Sequence, residues 1–439
     1  MKRSIGFSLT GLIALAGAAS AATFTVTETS DLIDPMPGNG FCNVFPQAGP
    51  GPCTLRAAII EANALAGADT ISIPGGLPSG NVFTLSIEGR GEEAAFTGDL
   101  DITESATIIF FASGPSPIID ANGIDRVFDI RTDSGTVNLL GLEITGGDAN
   151  QPGDAAGGGI AVGFGDTDVN ISFCVLRGNV ATFGGGLYND GSNTDVFGCE
   201  IHDNEEADGG GSGEGAGIRN RGNLLVEASA IYANFHAGET GSAAVSSAPP
   251  FSGEPVLELR NSTVSGNDGA GVVVEGTALT LRNSTIVANF LGVAAASDMS
   301  GLPVVFKSSI IALNANADCN LSAAADFNTN SYNLDSDDSC GLADGSTNYS
   351  GVDPLLSLLG NFGGPTPTHR PYIDSPLIDS GHPAITAVGC TDEDQRFVER
   401  PIDYDDNGNA RCDVGAVELE TDVIYFSEFE RLAPPVITL

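Results

Sequence analysis

The sequence has no tryptophan and, beyond its first three residues, a single lysine, Lys307. Basic side chains are scarce altogether: 17 Lys and Arg face 57 Asp and Glu, for a formal net charge of −40. A nucleic acid or an anionic bilayer finds no basic footprint here, so both are excluded as partners. After the first twenty residues no apolar run reaches the roughly 18 residues that a membrane-spanning helix needs. With only 4 His, none near a cysteine in repeat register, a zinc centre lacks ligands. Few Lys, many Asp and Gly and the missing Trp agree with a salt-exposed extracellular life.

At the front stand Lys2-Arg3, an apolar run to Ala18 and the small residues Ala19-Ser20-Ala21. These are the three parts of a secretory signal peptide, so residues 1–21 are expected to be cleaved. In an exported chain the 8 Cys read as disulfides. Cys42 with Cys53, Cys319 with Cys340 and Cys390 with Cys412 would each close a local loop.

The middle of the chain repeats one phrase: a small residue, any residue, a branched apolar one, two more, then Asn. The asparagines are Asn179, Asn204, Asn234, Asn267, Asn289 and Asn314. A spacing in the twenties to low thirties with one fixed anchor marks a solenoid in which each repeat is a coil. Ten and eight residues before each Asn lie Val169/Ile171, Thr194/Val196, Leu224/Val226, Leu257/Leu259, Leu279/Leu281 and Val304/Phe306. Five and three before it lie Cys174/Leu176, Cys199/Ile201, Ser229/Ile231, Ser262/Val264, Ser284/Ile286 and Ser309/Ile311. Alternation on both sides of a one-residue slip describes two strands joined by a bend. A third strand follows a Gly cluster, as in Gly159-Ile160-Ala161-Val162 and Gly186-Leu187-Tyr188-Asn189. Three short strands per coil make an all-β fold, a single right-handed parallel β-helix. The recurring Asn suits the corner, where it tolerates left-handed geometry and can bond to its counterpart in the next coil.

Residues 22–74 read as a cap, 75–318 as the coils, 319–421 as a loop-rich closing region and 422–439 as a tail. The segments from Gly147 to Gly159 and from Asp203 to Gly217 are expected to be loops that leave the coil. The amphipathic helix within Thr54–Asn63 is the expected lid, because a terminal coil otherwise exposes an apolar cross-section. The run FTVTETSDLIDP from Phe24, the pair Cys42 and Cys53 continuing as CTLRAAIIEAN, and GADTISIP resemble the CSLREA region of bacterial surface β-helix proteins. The stretch from Asp353 to Gly381 and DQRFVERPIDYDDNGNARCDVGAVEL from Asp394 resemble the choice-of-anchor Q region that ends many such proteins. These resemblances imply a secreted or outer-surface bacterial pectin-lyase-like β-helix, a fold that enzymes and non-enzymes share.

Several constellations carry possible chemistry. Two residues before successive Asn stand Arg177, His202 and Tyr232, with Tyr188 and Arg219 stacked on the third strand. An Arg that neutralises a uronate, with His or Tyr taking the C5 proton, is what β-elimination of a polyuronide requires. The competing readings are an ordinary polar face and sugar binding without turnover through Tyr188, Tyr232 and the arginines. The favoured role is a carbohydrate-contacting or adhesive protein whose partner is an extracellular polysaccharide or a cell-envelope glycan. The alternative is a polysaccharide lyase. Asp403, Asp405, Asn407, Gly408 and Asn409 spell the start of a calcium loop. Val414 stands where the closing Glu is needed, so Asp413 is the candidate substitute, and a solvated acidic turn is the other reading. Glu227, Arg260, Arg282 and Lys307 form a second, partly basic stripe seven before the Asn. Cys174 and Cys199 share one repeat position, about 5 Å apart from coil to coil, so a disulfide and a ladder of two thiols both fit.

Overall fold

Each coil of the chain adds one strand to each of three parallel sheets, which contain ten, ten and nine strands. The computed structural model describes residues 21–421 apart from 48, 111–113, 152–154, 208–213, 238–241, 250–254, 297–298, 300, 323–329, 343–346, 387–388 and 405. The leader and the tail from residue 422 lie outside the described residues. The first sheet runs from Thr23–Thr25 to Val304–Lys307. The second runs from Val82–Thr84 to Leu334–Asp335 and the third from Leu100–Ile102 to Ala317–Leu321. The result is a right-handed parallel β-helix.

Like residues pile up coil over coil. Val169, Thr194, Leu224, Leu257, Leu279 and Val304 pair in register on the first sheet. Leu176, Ile201, Ile231, Val264, Ile286 and Ile311 do so on the second, each 0% exposed. Each such side chain contributes about 1.5–3 kcal/mol on leaving water. The irregular early coils join the same sheets: Asp69–Ile73 pairs with Ala106–Phe110, and Ile118–Asp120 with Glu143–Thr145.

The bends differ from the expectation by one residue. Left-handed φ falls on the residue before each Asn: Gly178, Asp203, Ala233, Gly266, Ala288 and Leu313, at 52–64°. The asparagines themselves are not left-handed. Their second expected role holds, since the Nδ2 of each but the last donates to the next Asn Oδ1, at 3.0 Å from Asn179 to Asn204 and 2.8 Å from Asn267 to Asn289, and that of Asn314 donates to Asp318 at 3.0 Å. A second left-handed residue, at Phe173, Gly198, Ala228, Asn261, Asn283 and Ser308, makes the slip between first and second strands.

The acid- and Gly-rich segments expected to be loops each begin with a strand of the wall: Asp148–Ala149 and Glu205–Glu206 pair with Val180–Ala181 and Phe235–His236 in a small fourth sheet.

The helix Leu55–Asn63 lies over the first coils, with Leu55 to Ala62 all buried. Thr54 caps it, accepting the Ala57 N–H at 3.1 Å, directly after the Cys42–Cys53 disulfide. Arg56 on this helix is fully buried. Its guanidinium meets the Asp31 carboxylate at 2.5 Å and the carbonyls of Ala95, Gly98 and Asp99 at 2.9, 2.7 and 3.0 Å. Asn63 closes the edge of the third sheet, donating to Asp101 O at 2.7 Å and accepting Thr103 N–H at 3.0 Å.

The closing region does more than cover the far end. After the strand Leu334–Asp335 and the Cys319–Cys340 disulfide, the chain turns back and runs along the outside of the coils as a strap. Ala416 N–H donates to Thr285 Oγ1, Thr263 Oγ1 donates to Gln395, Thr391 donates to Asn261, and Thr366 Oγ1 donates to the Ala228 carbonyl. Phe397 stacks on Phe197 at 5.7 Å. The strap's own turns are tied by Cys390–Cys412.

Cys174 and Cys199 are free, buried thiols rather than a disulfide. In-register strands hold equivalent side chains in the same orientation, so the sulfurs stack instead of turning toward each other. Each position serves a shared ladder: Cys174 N–H donates to Cys199 Sγ, and Cys199 N–H to Ser229 Oγ at 3.0 Å.

Candidate functional site

On the second sheet, Arg177, His202 and Tyr232 stand in one outward column, paired coil to coil. The next members of that column, Ser265, Val287 and Ala312, are buried, and the strap's His369 bonds Ser265 at 2.7 Å. The triad therefore occupies the open stretch of sheet beside the strap. Each of its polar groups already has an anionic partner. Arg177 donates to Glu143 through Nε at 2.8 Å and also through Nη2. His202 Nδ1 bonds Asp203 at 2.7 Å, and Tyr232 Oη donates to Glu200 at 2.6 Å. The His202 and Tyr232 rings stack, 4.7 Å between centroids and 10° between planes. Burial, with the Glu200 acceptor beside it, pushes the Tyr232 phenol well above its ordinary pKa. A phenol so held keeps its proton, and an Arg so paired offers little free charge to a uronate.

Tyr188 and Arg219 pair on the third sheet, across the corner at Asn179 from this column. Arg219 donates to Ser246 at 2.6 Å, and Arg221 donates to Tyr188 Oη at 3.4 Å. The structure thus divides the five expected site residues between two faces. Burial raises the Tyr188 pKa and lowers that of Arg219.

Earlier in that outward column of the third sheet, sequence reasoning missed a feature. Asp101 and Asp129 occupy adjacent coils in register, followed by Ala161, Tyr188 and Arg219. With Asp99 they form a buried group whose ligand oxygens lie within 4.8 Å of one another. Arg126 bridges Asp99 at 3.1 Å and Asp129 at 3.0 Å. Arg131 reaches Asp129 at 2.7 Å. Burial, with Asp101 and Asp125 nearby, pushes Asp99 up to about 9, and burial pushes Asp101 up to about 7. The available signal was the shared apolar-Asp-apolar phrase in Leu100-Asp101-Ile102 and Phe128-Asp129-Ile130.

In the acidic loop Asp403 is half-buried and residues 406–409 are exposed, and Asp405 lies outside the described residues. Asp403 accepts the Asn407 and Gly408 N–H groups at 3.2 and 2.8 Å, and Asn407 accepts that of Asn409 at 2.8 Å. Asp413 points elsewhere: it is 1% exposed and accepts the Asp379 and Leu419 N–H groups at 2.8 and 2.7 Å. Burial and the neighbouring Glu418 raise its pKa strongly.

The stripe Glu227, Arg260, Arg282 and Lys307 is in register as expected. Arg260 is held by Glu258 at 2.8 Å and Glu227 at 3.4 Å. A cavity of about 330 Å³ separates this stripe from Thr391 and Asp392 of the strap.

A family model agrees with this architecture. The family described as right handed beta helix region matches residues 130–322. No curated protein sequence matches the chain. Among solved structures, the crystal structure of pectate lyase Pel9A is similar in fold at 14% identity and a TM-score of 0.49, covering 91% of this chain and 98% of that one. The chain is thus similar to right-handed β-helix proteins, and no helix among its described residues is long and apolar enough to cross a membrane.

Proposed function

We propose that this chain is a secreted or surface-exposed β-helix that contacts carbohydrate without turning it over, through the open column at Arg177, His202 and Tyr232. One observation carries the reading: the polar groups there are already paired with Glu143, Asp203 and Glu200, while His202 and Tyr232 form a flat, half-buried double ring. Carboxylates and a guanidinium at fixed positions bond sugar hydroxyls, and the face of an aromatic ring packs against the apolar C–H face of a pyranose. Proton abstraction would instead need a base relieved of its partner. Flanking acids and a net charge of −40 favour a neutral, hydroxyl-rich glycan over a polyuronide.

The test is affinity electrophoresis and calorimetry on a panel of neutral polysaccharides and polyuronides. Binding to a neutral glycan is expected, weakened about tenfold by Tyr232→Ala or His202→Ala, a loss of roughly 1.4 kcal/mol. Ultraviolet-absorbing unsaturated uronides that vanish in His202→Ala would replace this reading with a lyase. No binding to any glycan would reject it.

A further inference from the structure

The buried acids at the front of the third sheet are not accounted for by a carbohydrate-contacting face. Asp99, Asp101 and Asp129 are 4%, 1% and 3% exposed. Their facing oxygens lie within 4.8 Å of one another. Two oxygens bound to one calcium ion at about 2.4 Å can be at most about 4.8 Å apart, so the three are close enough to share such an ion. A second observation points the same way. Asp125 is 0% exposed; its Oδ1 accepts the Arg126 N–H at 2.8 Å, while its Oδ2 has no hydrogen-bond partner. That oxygen lies against the backbone just before Asp99, 2.7 Å from where a Cβ on Gly98 would stand. The Gly89 carbonyl lies closer still, 2.0 Å from that position, so the packing of both groups here needs glycine at 98.

The charges do not balance within this shell. Arg126 is the buried guanidinium that serves Asp99 and Asp129. Arg131 is 46% exposed and shared with Glu93, and Arg90 lies 3.7 Å from Asp125. Asp101 accepts the Ala95 N–H at 2.7 Å and has no cationic side chain on it among the described ion pairs. Surplus buried negative charge is costly unless a cation or protons offset it.

We infer that Asp99, Asp101 and Asp129, with Asp125 at the rim, hold one oxygen-seeking divalent cation of calcium size. The position gives that ion a structural task. Ala95, Gly98 and Asp99 offer their carbonyls to Arg56, so the loop 86–98 lies between the capping helix and the acids. An ion on Asp99 and Asp101 fastens the end of this loop to the coil that carries Asp129. The site is closed to polymer, which separates it from the Arg177–Tyr232 face, and its test does not depend on that face.

The experiment uses the full chain stripped with EDTA and titrated with calcium chloride by calorimetry, alongside thermal melts. Wild type is expected to bind one calcium per chain at this site, to melt a few degrees higher, and to protect loop 86–98 from hydrogen exchange. Asp101→Asn and Asp129→Asn are expected to weaken that binding about tenfold or more, and Asp403→Asn to leave it unchanged. Circular dichroism establishes that each variant is folded. The measurement on wild type decides even where a variant does not fold: no heat and no calcium-dependent protection of 86–98 means the acids share protons instead, and the inference fails. It fails equally if calcium binding survives in Asp101→Asn and Asp129→Asn but is lost in Asp403→Asn.

Discussion

Asn234 is held by copies of itself. Its Oδ1 accepts both the backbone and side-chain N–H of Asn204 at 3.1 Å, and its Nδ2 donates to Asn267 Oδ1 at 3.0 Å and Ile201 O at 3.0 Å. Asn234→Ala removes these bonds and leaves buried groups on both neighbouring coils unpaired, so a loss of about 2–3 kcal/mol is expected from denaturant titration. Asn234→Asp should be as harmful, because it sets a carboxylate against Asn267 Oδ1. The sequence made this ladder readable, since equal offsets from one anchor become neighbours in a parallel coil. It misplaced the left-handed residue because Ala233, Ala288 and Leu313 are not types that favour positive φ. The stacked Asn on the following residue imposes that geometry, at about 1–2 kcal/mol for each side chain with a Cβ.

At the level of elements, the lid helix was legible from its apolar face, but the reason for an arginine at 56 was not. Only the fold brings Asp31 and the carbonyls of 95, 98 and 99 to one guanidinium. Arg56→Lys keeps the charge but loses the planar fork. It should destabilise the lid by about 1–3 kcal/mol and raise hydrogen exchange in 86–98 while the central coils stay protected. The strap was illegible as a strap, because 354–419 has no period to register against the coils. Its His369 gives it a pH dependence. Burial lowers this imidazole to about 4, opposed by its bond to the Ser357 carbonyl, and its other nitrogen meets Ser265. The unfolded ring titrates near 6.5, so the unfolded strap binds more protons between the two values. The His369 contribution to strap stability should therefore be flat above about pH 6.5 and fall by up to about 3 kcal/mol as the pH drops toward 4. Exchange of residues 355–372, compared at about pH 7.5 and pH 5, measures it.

The whole molecule combines a one-dimensional stack with a long-range tie. A solenoid alone spreads its stability over nearest-neighbour contacts and can open piecewise. Here the strap touches coils from Phe197 to Ser308, so those coils should unfold together. Leu259→Ala, a deletion in the dry interior, should cost about 2–5 kcal/mol in the intact chain. A chain ending before Pro354 should lose the tie and melt over two resolved transitions in calorimetry. The two sulfhydryls inside this stack allow the opening to be timed. Six of the 8 Cys are bonded, so Cys174 and Cys199 alone remain to react with a thiol reagent, and only once the wall around them parts. Under native conditions, the rate at which such a reagent consumes two equivalents is thus a direct clock for the breathing of the central coils.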